Sequence, residues 1–358
     1  MTSAKIPEGG IRRFILHVAM SISSVAIGNQ PVLYCLPQAT SFASDVAREI
    51  KKLMPDEFDC LSHMTVRQFA NSESCVQIPD TVRGNNVYLI GWSKGSVDTL
   101  CMQLFIAIDA FKRASANKVI VVLPMMPYAR QDRKDASRMP ITARMFASFV
   151  ETAGADHVIT MDLHASQIQG FYKIPVDNLY ASPTMCAAIL KQMDSDTPTC
   201  VVSPDAGGVK RARDMHVRLR SAGVEDLSLC MIHKERGKDG DVEEMTVVGD
   251  VKGKNCWLID DMADTCGTLC KAAQTLKDHG ANKVMAAITH GVFSRNALER
   301  IDTCDALSSV FVSDTCLEGP EDLGKSIQVH SVAGVFASAI YRNHNHMSVK
   351  DLFEGNPV

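Results

Sequence analysis

Short apolar runs recur along this chain with helix-length segments between them, and that alternation restricts its fold more than any other feature. Val87–Ile90, Val119–Leu123, Val158–Met161, Cys200–Val202, Cys256–Ile259, Val284–Ile288 and Val310–Val312 read as buried strands. Leu100–Arg113, Thr142–Thr152, Pro183–Gln192, Val209–Arg220 and Leu269–His279 carry helical patterns. Strands that are apolar on both faces need cover on both, so the pattern predicts an α/β fold of parallel sheets layered with helices. G-A-D-H-V-I at Gly154 and G-A-N-K-V-M at Gly280 each follow a helix and open a strand, as does A-N-K-V-I at Ala116. These echoes predict two similar halves, 32–180 and 181–342, joined near Pro183, with a segment 1–31 ahead and a tail 343–358 behind.

A chain of 358 residues has room for two such cores. Lys and Arg number 37 against 41 Asp and Glu, and a net charge of −4 gives no electrostatic reason to expect a nucleic-acid or membrane partner. The apolar stretch Phe14–Ile27 is too short and too polar to span a bilayer. Glu8, Gly9 and Gly10 weigh against a cleaved organelle leader, so a cytoplasmic protein with an extra N-terminal element or a disordered tail is expected, and targeting is the less favoured alternative. Twelve cysteines without a C-x-x-C pair read as reduced core residues rather than disulfides or a zinc site.

Open parallel sheets bind ligands at the carboxyl ends of their strands, and polar motifs follow three of the apolar runs here. In W-L-I-D-D-M-A-D-T-C-G-T-L (Trp257–Leu269) the run is expected to stop at two carboxylates, followed by a small-residue loop and a helix start. Backbone N–H groups and hydroxyls in such a loop suit a phosphate monoester. Asp260 and Asp261 would repel that phosphate unless the ligand also carries hydroxyls, so a sugar phosphate fits both halves of the motif. In V-S-P-D-A-G-G-V-K-R, Asp205, Ala206, Gly207 and Gly208 form a loop that lets backbone approach a diphosphate. Asp162 and His164 stand two residues apart, which in an extended strand places both on one face, suited to a hydrated Mg2+ or to phosphates. Arg130, Arg133, Lys134 and Arg138 cluster between Pro127 and Pro140, where Arg130 and Gln131 can reach a nucleotide. Lys234 and Arg236 precede a Gly-rich charged segment, an arrangement suited to closing over a transferring phosphoryl group. Neither G-x-x-x-x-G-K-[ST] nor a G-x-G-x-x-G after a strand is present, so a P-loop or dinucleotide fingerprint is excluded.

Six motifs occur in order: R-Q-F-A-N-S-E-S-C from Arg67, P-Y-A-R-Q-D-R-K-D from Pro127, D-L-H-A-S-Q-I-Q-G-F from Asp162, S-P-D-A-G-G from Ser203, H-K-E-R from His233 and D-D-M-A-D-T-C-G-T from Asp260. Together they resemble the class I phosphoribosyl pyrophosphate synthetases, from about Val32 to Phe353. The resemblance implies two domains, each like a type I phosphoribosyltransferase, with the C-terminal tail returning to the first. It implies an enzyme that converts ATP and ribose 5-phosphate to AMP and 5-phosphoribosyl 1-diphosphate with Mg2+. A homohexamer activated by inorganic phosphate and inhibited by ADP is implied as well.

Carried over by position, the resemblance implies that Phe69, Asn71 and Glu73 reach the adenine from a neighbouring subunit. Arg130, Gln131, Asp132 and His164 would contact the nucleotide, and Asp162, His164 and Asp205 would serve the metal. Asp260, Asp261, Asp264, Thr265, Cys266, Gly267 and Thr268 would hold ribose 5-phosphate, and Lys234 and Arg236 would act on the transferring group. Arg83, Ser137, Arg138 and Ser348 would belong to the allosteric site. Asp98 and Thr99 stand where the family has an Asn-Asp pair, and Ala70 and Ser72 depart from its adenine motif. A phosphoribosyltransferase would share only the ribose-phosphate loop. A non-catalytic synthetase-associated subunit would have lost or interrupted the Lys234 segment, which is intact here as H-K-E-R.

Overall fold

The computed structural model describes residues 31–55, 61–91, 95–194, 196–236, 242–317, 323–324 and 326–354, so the expectations for 1–30 lie outside it. The first half comprises β1 (Pro31–Cys35), α1 (Thr40–Leu53), β2 (Leu61–His63), β3 (Thr65–Gln68), β4 (Ser74–Gln77), β5 (Asn86–Ile90), α2 (Val97–Arg113), β6 (Lys118–Leu123), α3 (Thr142–Ala153), β7 (His157–Met161) and β8 (Val176–Leu179). The second comprises α4 (Ser182–Gln192), β9 (Thr199–Ser203), α5 (Val209–Ser221), β10 (Leu227–Arg236), β11 (Val242–Val248), β12 (Asn255–Ala263), α6 (Gly267–Asp278), β13 (Lys283–Gly291), α7 (Ala297–Asp302), β14 (Ser309–Ser313) and β15 (Ile327–His330). Helices α8 (Ala333–His344) and α9 (Lys350–Glu354) end the described chain.

Every strand and helix expected above is present. The first sheet runs β2-β1-β5-β6-β7-β8, all parallel, and the second runs β11-β10-β9-β12-β13-β14-β15, parallel except for the β10–β11 pair. Their central strands are wholly buried, as sheets covered on both faces require. In the second sheet the chain steps from β9 outward to β10 and then returns to β12 on the other side of β9. Asp205 follows β9 and Asp260 lies in β12, so both flank the point where strand order reverses, the usual ligand crevice of open sheets.

The repeated G-A-x-x-V motif has a physical cause. Gly154 ends α3 at φ +110, with its N–H on the Glu151 carbonyl and the Ala155 N–H on the Val150 carbonyl. Gly280 repeats this after α6 at φ +88, through the Lys277 and Leu276 carbonyls, and Ser115 takes the same left-handed turn after α2. Each echo is a helix C-cap that releases the chain directly into a strand.

β12 corrects the expectation that its strand stops at the carboxylates. Its pairing with β9 ends at Leu258–Val202, yet its ladder with β13 continues to Ala263–Gly291. Asp260 and Asp261 therefore sit inside a strand that, paired with β13, extends beyond β9, with only Asp264, Thr265 and Cys266 between it and α6.

The chain comes back to the first half already at α8, ahead of the tail boundary expected at 343. Phe336 meets Phe42 of α1 edge-on at 5.4 Å, and the Tyr88 hydroxyl donates to Asn343 Oδ1 at 2.9 Å. Arg218 of α5 donates to the Phe353 carbonyl at 2.6 Å, which ties the end of the chain to the second half as well. The described cysteines are free and most are buried, and among the described residues no helix is long and apolar enough to cross a membrane. Replacing the fully buried Phe336 by Ala is expected to destabilise the first half by about 3–5 kcal/mol. The measurement is the shift in chemical denaturation midpoint, and no shift would mean that α8 adds nothing to that core.

Candidate functional site

A cavity of about 1000 Å³ lies where the carboxyl ends of the two sheets meet, and both halves line it. From the first half, β7 ends at Met161 and the chain turns at Asp162, whose φ is +40. The turn is pinned by the Leu163 N–H on Asn178 Oδ1 (3.0 Å) and by the Ala181 N–H on Asp162 Oδ2 (3.0 Å). It presents His164 to the second half, with Nδ1 2.8 Å from Asp261 Oδ2. Arg211, in the first turn of α5, places Nη1 3.2 Å from Asp261 Oδ1 and 3.5 Å from Asp260 Oδ1.

These contacts divide the two carboxylates. Burial pushes Asp261 upward, but the His164 hydrogen bond and the Arg211 charge outweigh it and hold the group below the ordinary carboxylate range. Asp260 is pushed the other way, by burial and by the neighbouring charge of Asp261. The hydrogen bond to Asp261 raises His164 above its ordinary value near 6.5.

Asp205 opens a second wall. Its Oδ1 accepts the Gly208 N–H at 2.9 Å, and its Oδ2 lies 3.5 Å from Lys234 Nζ on β10. Gly208 is required here, because a Cβ would stand 2.9 Å from Ser203 Oγ, whose hydrogen bond to the Asp205 carbonyl (2.6 Å) closes the loop. Arg130 of the first half pairs with Asp264 at 2.8 Å and fastens the basic segment to the loop after β12. The wall thus alternates carboxylates with arginine and lysine, an arrangement that fits a polyanion carrying hydroxyls.

Residues 32–154 match the model of the N-terminal domain of ribose phosphate pyrophosphokinase, and residues 237–354 match the phosphoribosyl synthetase-associated domain. Ribose-phosphate pyrophosphokinase 4 of Saccharomyces cerevisiae is 47% identical over 317 residues, 88% of this chain and 93% of that protein. The chain belongs to the ribose-phosphate pyrophosphokinase family. Ribose-phosphate pyrophosphokinase 2 of Schizosaccharomyces pombe is 46% identical over 300 residues, 83% of this chain and 91% of that one. The crystal structure of phosphoribosylpyrophosphate synthetase from Mycobacterium smegmatis superposes with a TM-score of 0.80 at 35% identity, covering 88% of this chain and 99% of that one.

Within this pyrophosphokinase, several residues sit differently from expectation. Asp162 and His164 both line the cavity, but from a turn rather than from one strand face, because β7 ends at Met161 and Asp162 is left-handed. Asp162 is largely buried yet lines the cavity, and its Oδ2 accepts the Ala181 N–H and the Thr289 hydroxyl. Gln131 is absent from the cavity wall and accepts the Thr142 hydroxyl at the start of α3, whereas Asp132 does line the cavity. Asp264 is at the wall, but Thr265, Cys266, Gly267 and Thr268 stand behind it, with Cys266 left-handed at φ +59. Phe69, Asn71 and Glu73 form the exposed tip of the β3–β4 hairpin, away from the cavity, with Phe69 54% exposed. Arg236 lies on β10, and its side chain is outside the described residues. Arg83, Ser137, Arg138 and Ser348 are exposed, and no hydrogen bond among the described residues links them; Arg83 donates instead to Ser115 Oγ and the Ser348 carbonyl accepts from Arg342.

Two arginines escaped the sequence reading. Arg211 had one signal: a cation in the first turn opposes the helix dipole and needs a reason to be there. Arg300 of α7 donates to the Thr265 carbonyl at 2.9 Å and props the loop from behind, and no local pattern announced it.

A base whose pKa is raised on folding adds stability that is complete below its unfolded pKa and is lost as pH rises through the raised value. His164→Asn is therefore expected to lower the denaturation midpoint most below pH about 6.5 and progressively less above it, in metal-free buffer. An equal loss at about pH 5.5 and 8.5 would mean that folding leaves the His164 pKa unchanged.

Proposed function

We infer that this protein is a ribose-phosphate diphosphokinase, which transfers the β,γ-diphosphoryl group of ATP to the C1 hydroxyl of ribose 5-phosphate. The observation that carries this reading is the cavity wall shared by both halves, in which Asp260 and Asp261 face the basic residues Lys210, Arg211 and Lys234. Carboxylates suit ribose hydroxyls and cations suit phosphates, so one cavity accommodates both substrates. The C1 oxygen attacks the β-phosphorus and AMP leaves, with negative charge spread over the group in transit. Catalysis by this chain is then alignment and charge stabilisation.

Lys234, mostly buried beside Asp205, is the described cation best placed to follow the transferring group, and Arg236 two residues on along β10 is proposed to act with it. Arg130 fixes the ATP-side segment through Asp264. The loop from Asp264 through Thr268, propped by Arg300, is assigned to the 5-phosphate.

The donor set is compatible with Mg2+. Among the described residues no group of three or more His, Cys, Asp or Glu converges on one point. Mg2+ is commonly held by one or two protein ligands and completed by substrate phosphates and water. Asp162, His164 and Asp205, all at the cavity wall, supply such a partial set. When bound, the cation neutralises phosphate charge and the departing AMP oxygen.

Phe69 is a large aromatic at a hairpin tip that plays no part in its own chain's cavity, which supports the reading that it completes the adenine pocket of a neighbouring copy. A homo-oligomer, proposed as a hexamer, follows from that reading. Activation by inorganic phosphate through Arg83, Ser137, Arg138 and Ser348 is proposed on the resemblance alone.

Purified protein with ATP, ribose 5-phosphate and Mg2+ is expected to release AMP and 5-phosphoribosyl 1-diphosphate together. Absence of both products would leave the non-catalytic associated subunit, a reading that the match over residues 237–354 keeps in view. Lys234→Ala is expected to lower kcat by on the order of a hundredfold with little change in substrate affinity. Unchanged turnover in steady-state assays would remove Lys234 from the catalytic role. Phe69→Ala and His164→Ala, each inactive alone, are expected to recover partial activity when mixed and reassembled. Strict absence of recovery after demonstrated subunit exchange would mean that each chain builds a complete site.

A further inference from the structure

A buried polar seam backs the cavity, built by the T-H-G sequence at the end of β13. Thr289 and His290 are only 4% and 2% exposed. The Thr289 hydroxyl donates to Asp162 Oδ2 at 2.6 Å, the oxygen that also accepts the Ala181 N–H. His290 Nε2 lies 3.2 Å from the Met161 carbonyl, and because a carbonyl only accepts, Nε2 carries the proton and Nδ1 accepts. The partner of Nδ1 is the Thr315 hydroxyl at 2.9 Å, which therefore donates. Ser313 Oγ donates to the Thr289 carbonyl at 2.5 Å and accepts the Thr315 N–H at 3.2 Å. Thr315 Oγ1 also lies 3.2 Å from the Thr289 carbonyl and 2.9 Å from Ser313 Oγ, so the hydroxyls form one connected network around His290. Burial drives His290 toward the neutral form that this arrangement needs.

Both grips fall on Met161 and Asp162, the residues just before Leu163 and His164. Two packed halves are free by default to rock against each other. Buried hydrogen bonds from β13 oppose that motion at the turn that carries His164. The same strand pairs with β12 on either side of Asp261, Asp260 opposite Ile288 and Met262 opposite His290. One rigid ladder therefore sets both partners of the His164–Asp261 contact.

We propose that Thr289 and His290 are positioning residues for the diphosphoryl transfer, locking the Asp162–His164 turn onto β13 so that the two walls of the cavity stay in register. The inference rests on the reaction proposed above. Misplacement of a catalytic group by about 1 Å costs on the order of a hundredfold in rate, so a loosened turn is expected to act on kcat.

Thr289→Val keeps the shape and removes the donor. At saturating ATP and ribose 5-phosphate, kcat is expected to fall roughly tenfold or more while each KM stays within about threefold. Amide hydrogen exchange over residues 162–165 is expected to accelerate in parallel. Thr289→Ser should restore both readouts, and His290→Phe, which drops both side-chain bonds, should reproduce the loss. Thr289→Cys, a weak donor of similar size, should fall between and stands in if the valine variant fails to fold. Unchanged turnover and exchange, or a loss that serine does not restore, overturns the proposal. A wild-type protein that forms no AMP would overturn the reaction instead, and the exchange measurement, which needs no turnover, still decides the seam.

Discussion

Two adjacent carboxylates inside a strand need opposite charge or a shared proton to be tolerated, and this requirement organises the molecule. Asp260 and Asp261 lie where β12 runs past β9 with only β13 beside it, largely shielded from water. Arg211 arrives from α5 of the same half and His164 from the turn after β7 of the other half. Removing one partner of a buried pair leaves an uncompensated charge, which costs far more than the pair itself contributes. The two halves are therefore joined at the proposed substrate cavity, and the charge balance there doubles as an interface between them.

The framework was legible because its strands are apolar on both faces and its helices are one-sided, patterns that a single sequence displays directly. What stayed hidden depends on neighbours. The strand at Trp257 continues through its carboxylates only because β13 offers hydrogen bonds there, and nothing local to Asp260 announces that partner. The pairing of Asp162 with His164 on one face failed because Met161 is the last strand residue. Gln131 looked like a nucleotide contact from its basic surroundings, yet the start of α3 claims its side chain. Strands β2, β3, β4, β8 and β15 are only three or four residues long and partly polar, so their pairing, not their composition, defines them.

The candidate site divides similarly. Asp205, Asp261, His164 and Lys234 were visible because polar residues at strand ends interrupt apolar runs. Arg211 and Arg300 were not, since each lies on a helix of ordinary composition and gains meaning only from the carboxylate or carbonyl it faces. Thr289 and His290 were obscured by an apolar strand around them, which made a buried polar pair read as part of the core.

The return of α8 to the first half has a consequence for how the molecule is made. On the ribosome the first sheet emerges early, but Phe42 and the face of α1 around it wait for Phe336, almost three hundred residues downstream. Domains generally fold as units from the N-terminus during synthesis. Here that order breaks, and the first half stays open along one helix face until α8 has been made. A chain ending anywhere before Ala333 thus leaves the apolar face of α1 around Phe42 without its α8 cover, the kind of transiently exposed surface that makes incomplete chains prone to aggregate.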